Sequence, residues 1–189
     1  LIRILYRFVY RFIPCQEKTI LFISFHGRGY SDNPMAIHQY LSKHSQYADY
    51  RCIYAIKNHK QKKLKIENAR IIEYFSIPYF FYLARSKYWI SNCKLPKYVL
   101  KKPTQVYLQT WHGTPLKRLG YDIEVGDNAL HTKDELNKLY KLDSERYTYL
   151  LSPSAFCTEK FSSAFNLPVN NPNVEIVQEG YPRNDFLSN

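Results

Sequence analysis

From Lys18 onward, short apolar runs alternate with stretches of helical periodicity, and no other feature constrains the fold of this chain as strongly. Strands are predicted near 18–26, 50–56, 69–74, 87–92, 105–111, 147–152 and 174–179, and helices near 34–45, 77–86, 131–143 and 155–165. This succession of βαβ units specifies an α/β fold, a Rossmann-like parallel sheet flanked by helices. Asn33 before Pro34 supplies a cap and then a residue suited to the first helical position, so a helix is expected to start there. Its N-terminus then points at the loop from His26 to Asp32.

A chain of 189 residues can bury a substantial core, with one domain the default. It begins at Leu1 rather than Met and stops just after a motif, which suggests a piece of something longer. The net charge of +11 is unevenly placed: residues 1–118 hold 21 Lys and Arg against 5 Asp and Glu, the remainder 6 against 11. The first part therefore suits an anionic partner, whether nucleic acid, an anionic membrane surface or a phosphate-rich polymer. A basic solvated face explains the same count. Cys15, Cys52, Cys93 and Cys157 are scattered without a C-x-x-C pair and read as buried thiols in a reducing compartment. Arg3, Arg7 and Arg11 interrupt the first apolar run, so no secretory signal is evident, and no stretch approaches the roughly 18 apolar residues of a spanning helix. A cytoplasmic location follows as the expectation.

Residues 109–122, QTWHGTPLKRLGYD, crowd a histidine, two glycines, a proline and two adjacent cations into one turn at the end of a predicted strand. In an open α/β sheet ligands sit outside the carboxyl ends of the strands, so His112, Lys117 and Arg118 are expected to face a crevice. Gly113 lets the backbone turn and a ligand approach closely. A histidine with an ordinary pKa of about 6.5 can take a proton from an attacking hydroxyl, but a histidine in a turn also serves as a hydrogen-bonded structural residue. Lys117 and Arg118 could meet a phosphate beside the imidazole or remain solvated. Loop 26–33 contributes His26, Gly27, Arg28 and Ser31 at a strand-to-helix junction that favours anions. A tight turn with nothing bound is the alternative. The chain has neither the G-x-x-x-x-G-K-[ST] of a P-loop nor G-x-G-x-x-G, which argues against ATP and NAD. Its six histidines form no H-x-x-x-H or H-E-x-x-H pattern, which argues against a zinc or iron site.

At the N-terminus, residues 1–13 place Arg3, Arg7 and Arg11 four apart on a helix whose other surface is Leu, Ile, Phe, Val and Tyr, ended by Pro14. A helix of this kind can lie in a membrane interface with its arginines on anionic headgroups; packing on protein is the equal alternative. Residues 57–65, KNHKQKKLK, read as a solvated loop, as do residues 121–130 with Gly126, Asp127 and Asn128.

The string WHGTPLK at 111–117 resembles the signature of the CDP-glycerol:poly(glycerophosphate) glycerophosphotransferases, the teichoic acid primases and polymerases of Gram-positive bacteria. SFHG at 24–27 with YSDNP at 30–34 resembles that family's first strand and loop, and GYPRND at 180–185 the motif closing its first domain. Residues 1–14, by their arginine spacing, form the basic amphipathic helix that suits a membrane interface; the resemblance implies the N-terminal lobe of a two-lobed GT-B arrangement, with residues 15–189 as the acceptor-side lobe and CDP-glycerol held mainly by a second lobe. It implies transfer of glycerol phosphate from CDP-glycerol to the hydroxyl of a lipid-linked teichoic acid or related polymer, releasing CMP, by an enzyme peripheral on the inner face of the membrane. His112 would be the catalytic base. His26, Gly27, Arg28, Ser31, Gly113, Thr114, Lys117, Arg118, Arg183 and Asn184 would bind phosphate or acceptor, with no cofactor and no metal. Arg183 and Asn184 would organise the hinge or touch phosphate; a simple turn through Asn184 and Asp185 accounts for the same residues. Ribitol-phosphate transfer from CDP-ribitol is the rival within the class, and a non-catalytic basic module binding nucleic acid or anionic polymer the rival outside it. The 18 tyrosines and 11 phenylalanines, spread through core elements, argue against nucleic acid.

Overall fold

In the computed structural model, which describes residues 2–61, 63–126 and 129–187, seven parallel strands form one sheet. They are β1 (Gln16–Ile23), β2 (Arg51–Ile56), β3 (Ala69–Glu73), β4 (Ser86–Ser91), β5 (Val106–Gln109), β6 (Tyr149–Leu151) and β7 (Glu175–Val177). All seven predicted strands are present. The order β3-β2-β1-β4-β5-β6-β7 reverses direction between β1 and β4, which is where an open sheet of this type opens a crevice for ligands.

Both faces of the sheet are covered, and β1 shows why its sequence is almost continuously apolar. Leu21 and Ile23 point into one cluster with Ile53, Leu83, Trp89, Tyr107 and Phe165, whereas Ile20 and Phe22 point into another with Tyr54, Ile56 and Ile90. Alternate side chains of a strand face opposite sides, so a strand buried on both must be apolar at every position. The second face is closed by α2 (Asp32–Lys43) through Ile37 and Leu41. The first is closed by α3 (Ile77–Arg85), α4 (Lys133–Ser144) and α5 (Ala155–Phe165). Local capping agrees with these bounds: Ser76 caps α3, Thr132 and Glu135 form a capping box on α4, and Ser154 caps α5, each cap contributing on the order of 1 kcal/mol.

Two expectations about α2 and β5 are corrected. The helix begins at Asp32 with Ser31 in the cap position, so Asn33 is not its cap; its buried side chain is used elsewhere. Strand β5 ends at Gln109 rather than 111 because Trp111 adopts φ 51° and leaves the strand direction. Segment 57–65 contains no helix or strand among its described residues, Lys62 lying outside them. In loop 121–130, Asp127 and Asn128 lie outside the described residues.

The N-terminal segment forms α1 (Ile2–Val9) followed by a 3-10 turn at Tyr10–Phe12. Tyr6 anchors it, buried against Phe80 and hydrogen-bonded through its hydroxyl to the Leu100 carbonyl at 2.9 Å. Arg3 is exposed, with its guanidinium over the rings of Phe75 (4.9 Å) and Tyr98 (4.8 Å). Arg7 and Arg11 are exposed, together with Ile4, Leu5, Phe8 and Phe12. Among the described residues, no helix is long and apolar enough to cross a membrane.

A buried polar hub secures the long connection from β4 to β5. Asp143 accepts from the Leu95 amide (2.9 Å), the Tyr147 hydroxyl and Arg146 (2.7 Å). Arg146 also donates to the carbonyls of Leu95, Pro96 and Val99. Among the four free cysteines, Cys52, Cys93 and Cys157 are buried and Cys15 is partly so; burial pushes the thiols of Cys52 and Cys93 up to about 11.

Candidate active site

Three segments meet at the reversal point of the sheet, and two of them contain backbone that non-glycine residues seldom adopt. After β1, Phe25 (φ 44°), His26 (φ 55°) and Gly27 (φ 82°) turn left-handed in succession. Asp32 (φ 61°) does so at the entry to α2, and Trp111 (φ 51°) after β5. Left-handed conformations cost non-glycine residues roughly 1–2 kcal/mol each and persist where the surroundings enforce them. At Gly27 a Cβ would lie 2.8 Å from the Tyr74 Cβ. Gly27→Ala is therefore expected to destabilise the fold by about 2–3 kcal/mol, combining left-handed strain with overpacking, as thermal unfolding would show.

The indole of Trp111 is what aims His112. It is buried against Phe161 (5.7 Å) and Phe165 (5.3 Å), and the next side chain emerges at the surface. The imidazole of His112 stacks on that indole at 4.7 Å and meets the Phe25 ring at 5.8 Å, with its outer side exposed. Partial desolvation pulls its pKa below the ordinary histidine value; Asp32 opposes the shift and Arg183 adds to it. A histidine held in the neutral state near pH 7 is ready to accept a proton.

Beneath the turn lies a polar network that joins the three motif segments. The Asn92 side chain donates to Asp32 (2.6 Å) and accepts from the Phe25 amide (2.8 Å). Asp32 pairs with Arg183, whose guanidinium also donates to the His112 carbonyl at 2.8 Å. Asn33 donates to the carbonyls of Thr110 (3.4 Å) and Trp111 (3.2 Å) and accepts from the Arg183 amide (3.2 Å). The buried Tyr181 completes the set through a hydroxyl bond to the Gly113 carbonyl (3.0 Å).

The expected site residues divide. His26, His112 and Arg183 meet at the crevice. His26 is exposed, its pKa lowered by desolvation and then by Lys57, Arg28, Lys94 and His112; that influence marks a rim of positive potential suited to an anion. Gly113 and Thr114 lie on the same turn, and Ser31 accepts through its carbonyl from the Ser24 hydroxyl at 2.9 Å. Lys117 and Arg118 are placed differently. They line another cavity, with Leu116, Phe156, Glu159 and Ser163, and Arg118 pairs with Glu124. Asn184 is exposed, and its amide closes a turn onto the Tyr181 carbonyl. Asp32, Asn92, Tyr181, Lys57 and Lys94 were not among the expected site residues. Asp32 stands inside the 30–34 motif and Tyr181 inside 180–185; Asn92, Lys57 and Lys94 carry no local signal.

The sequence model of the CDP-glycerol:poly(glycerophosphate) glycerophosphotransferase family matches residues 4–189. The chain belongs to this family. It is 36% identical over 190 residues to a teichoic acid poly(glycerol phosphate) polymerase of Bacillus spizizenii, a match covering 99% of the chain and 47% of the relative. It is 38% identical to a teichoic acid glycerol-phosphate transferase of Staphylococcus aureus, over 91% of the chain and 42% of the relative. A solved structure of the wall teichoic acid polymerase TagF superimposes with a TM-score of 0.88 at 37% identity, covering 99% of this chain and 44% of that one. A histidine-to-asparagine variant of TagF soaked with CDPG gives the same TM-score at 36% identity, covering 98% of this chain and 44% of that one. The chain thus spans less than half the length of these family relatives.

Proposed function

We propose that the intact protein transfers glycerol phosphate from CDP-glycerol to the hydroxyl of a lipid-linked teichoic acid or related polymer. The observation that carries this reading is His112, exposed at the reversal point of the sheet inside a cationic rim, in a chain of this family. The acceptor's terminal oxygen attacks the β-phosphorus of CDP-glycerol while its proton passes to the His112 imidazole. The bond from that phosphorus to the bridging oxygen breaks, and CMP leaves with the bridging oxygen. Displacement of this kind depends on positioning and on neutralising phosphate charge; Arg28, Lys57 and Lys94 supply the charge on the acceptor side, and the His26 imidazole, its pKa lowered, offers a hydrogen bond. The test is CMP release from CDP-glycerol by the intact protein, measured with and without a glycerol-phosphate polymer acceptor. Acceptor-dependent release supports the reading, and none rejects it.

The state of His112 yields a pH expectation. Its neutral form is the active one and its folded pKa is lowered, so the acid limb of kcat/KM should have its midpoint below the ordinary histidine value of about 6.5. Asp32 holds that pKa up, so Asp32→Asn should move the limb to still lower pH; a pH–rate profile of both proteins checks the sign.

Residues 1–14 are assigned to a membrane interface and 15–189 to the acceptor side of the reaction. Ile4, Leu5, Phe8 and Phe12 stand exposed beside Arg7 and Arg11, the pairing of apolar and cationic groups that anionic bilayers attract. Flotation with anionic liposomes should fall at least tenfold when Arg7 and Arg11 become Glu, each basic residue near such a surface contributing about 1 kcal/mol. Unchanged flotation would reject the assignment.

A further inference from the structure

Four consecutive carbonyls of the His112 turn are captured by side chains from below. Asn33 donates to Thr110 and Trp111, Arg183 to His112, and Tyr181 to Gly113. The described peptide bonds are all trans, and across a trans peptide the C=O of one residue and the N–H of the next point in opposite directions. The N–H groups of His112, Gly113 and Thr114 therefore face away from the buried network. None of the three has a hydrogen-bond partner among the described residues. The side chains of His112 and Thr114 are exposed.

Gly113 supplies a second, independent observation. Its φ is not positive, and a Cβ built on it would meet nothing within 4 Å. Neither backbone conformation nor packing within the chain calls for glycine here, in contrast to Gly27. What glycine leaves is open space at this point of the turn, where a ligand can come up to the backbone.

We propose that the N–H groups of His112, Gly113 and Thr114 seat an oxygen of a phosphate ester beside the imidazole, with Asn33, Tyr181 and Arg183 as the positioning residues that hold those donors outward. The proposal rests on the phosphotransfer reading and deepens it. Donors fixed before the substrate arrives need no reorganisation as charge builds on the phosphoryl oxygens. The same geometry explains why Arg183 is spent on a carbonyl and on Asp32: it shapes the seat. The oxygen belongs either to the phosphoryl group in transfer or to the acceptor's last phosphodiester.

The experiment uses the intact protein and its Gly113→Ala and Tyr181→Phe variants. Steady-state CMP release is measured with CDP-glycerol and polymer acceptor varied separately, and melting temperature serves as a folding control. Gly113→Ala should melt like the parent and lose about 100-fold in kcat/KM, the scale of losing one such donor. Tyr181→Phe, which keeps the ring and removes one positioning bond, should lose about tenfold, within the 100-fold that a misplaced group can cost. Loss confined to kcat assigns the seat to the phosphoryl in transfer; a raised KM for acceptor alone assigns it to the acceptor phosphodiester. Full kcat/KM for both substrates in Gly113→Ala overturns the proposal while leaving phosphotransfer intact. If the parent protein itself releases no CMP, phosphotransfer fails, and amide NMR of the parent with inorganic phosphate decides the seat separately. Saturable downfield shifts of the Gly113 and Thr114 amide protons support it; unmoved amides overturn it.

Discussion

His112→Ala should lower CMP release from CDP-glycerol by about 100- to 10,000-fold in the intact protein, the range spanned by general-base catalysis. Folding should be nearly unaffected, because the imidazole lies outside the core with one face exposed, and the core element beside it is the Trp111 indole. The two properties together are diagnostic. A residue that shaped the turn from within would lower the melting temperature as it lowered the rate, whereas a proton acceptor at the rim affects the rate alone. His112→Gln keeps a polar side chain of similar reach without a titratable ring. It should lose comparable activity and also flatten the acid limb of the pH–rate profile. Rates within threefold of the parent for both variants would remove His112 from the chemistry.

Asp143→Ala should cost about 3–5 kcal/mol of stability, the penalty for breaking a buried ion pair from one side. Asp143 is 1% exposed and Arg146 only 10%, so removing the carboxylate leaves a guanidinium with its charge uncompensated in the core. The Tyr147 hydroxyl and the Leu95 amide lose their acceptor as well. The hub holds the segment after Asn92, which itself braces Phe25 and Asp32, so the crevice should loosen along with the fold. Urea unfolding followed through the buried Trp89 and Trp111 measures the loss. Asp143→Asn, which retains an acceptor oxygen, should recover part of it; an Ala variant within 1 kcal/mol of the parent would contradict the assignment of the hub.

Strand and helix order is legible in the sequence because this sheet is buried on both faces. Runs such as 20–23 and 52–56 are apolar at every position, and periodicity separates them from the helices with little ambiguity. The ends of elements are less legible, since tertiary contacts fix them. Asn33 before Pro34 carries the local signature of a cap, yet the Thr110 and Trp111 carbonyls and the Arg183 amide claim its side chain, and the helix starts two residues earlier. Strand β5 stops early for a similar reason, as burial of Trp111 on α5 outweighs β propensity at 110–111.

At the site, His112 and the two outer motifs stand out as clusters of glycine, histidine and proline. The cations that share the crevice with them do not. Lys117 and Arg118 adjoin His112 in sequence, but the turn carries them to the cavity beside Phe156. Lys57 and Lys94, far away along the chain, act on the His26 imidazole. Linear proximity is a poor guide where the backbone reverses at Trp111, and the crossing order of the strands, which brings β4 between β1 and β5, has no local sequence code.

A crystal structure of the intact protein with CDP-glycerol and a short glycerol-phosphate acceptor tests the central assignment most directly. The acceptor's terminal hydroxyl is expected within about 3 Å of the His112 imidazole, the reach required of a general base, with its phosphate among His26, Arg28, Lys57 and Lys94. An acceptor bound elsewhere, with His112 open to water and no phosphate at the mouth between β1, β4 and β5, would contradict it.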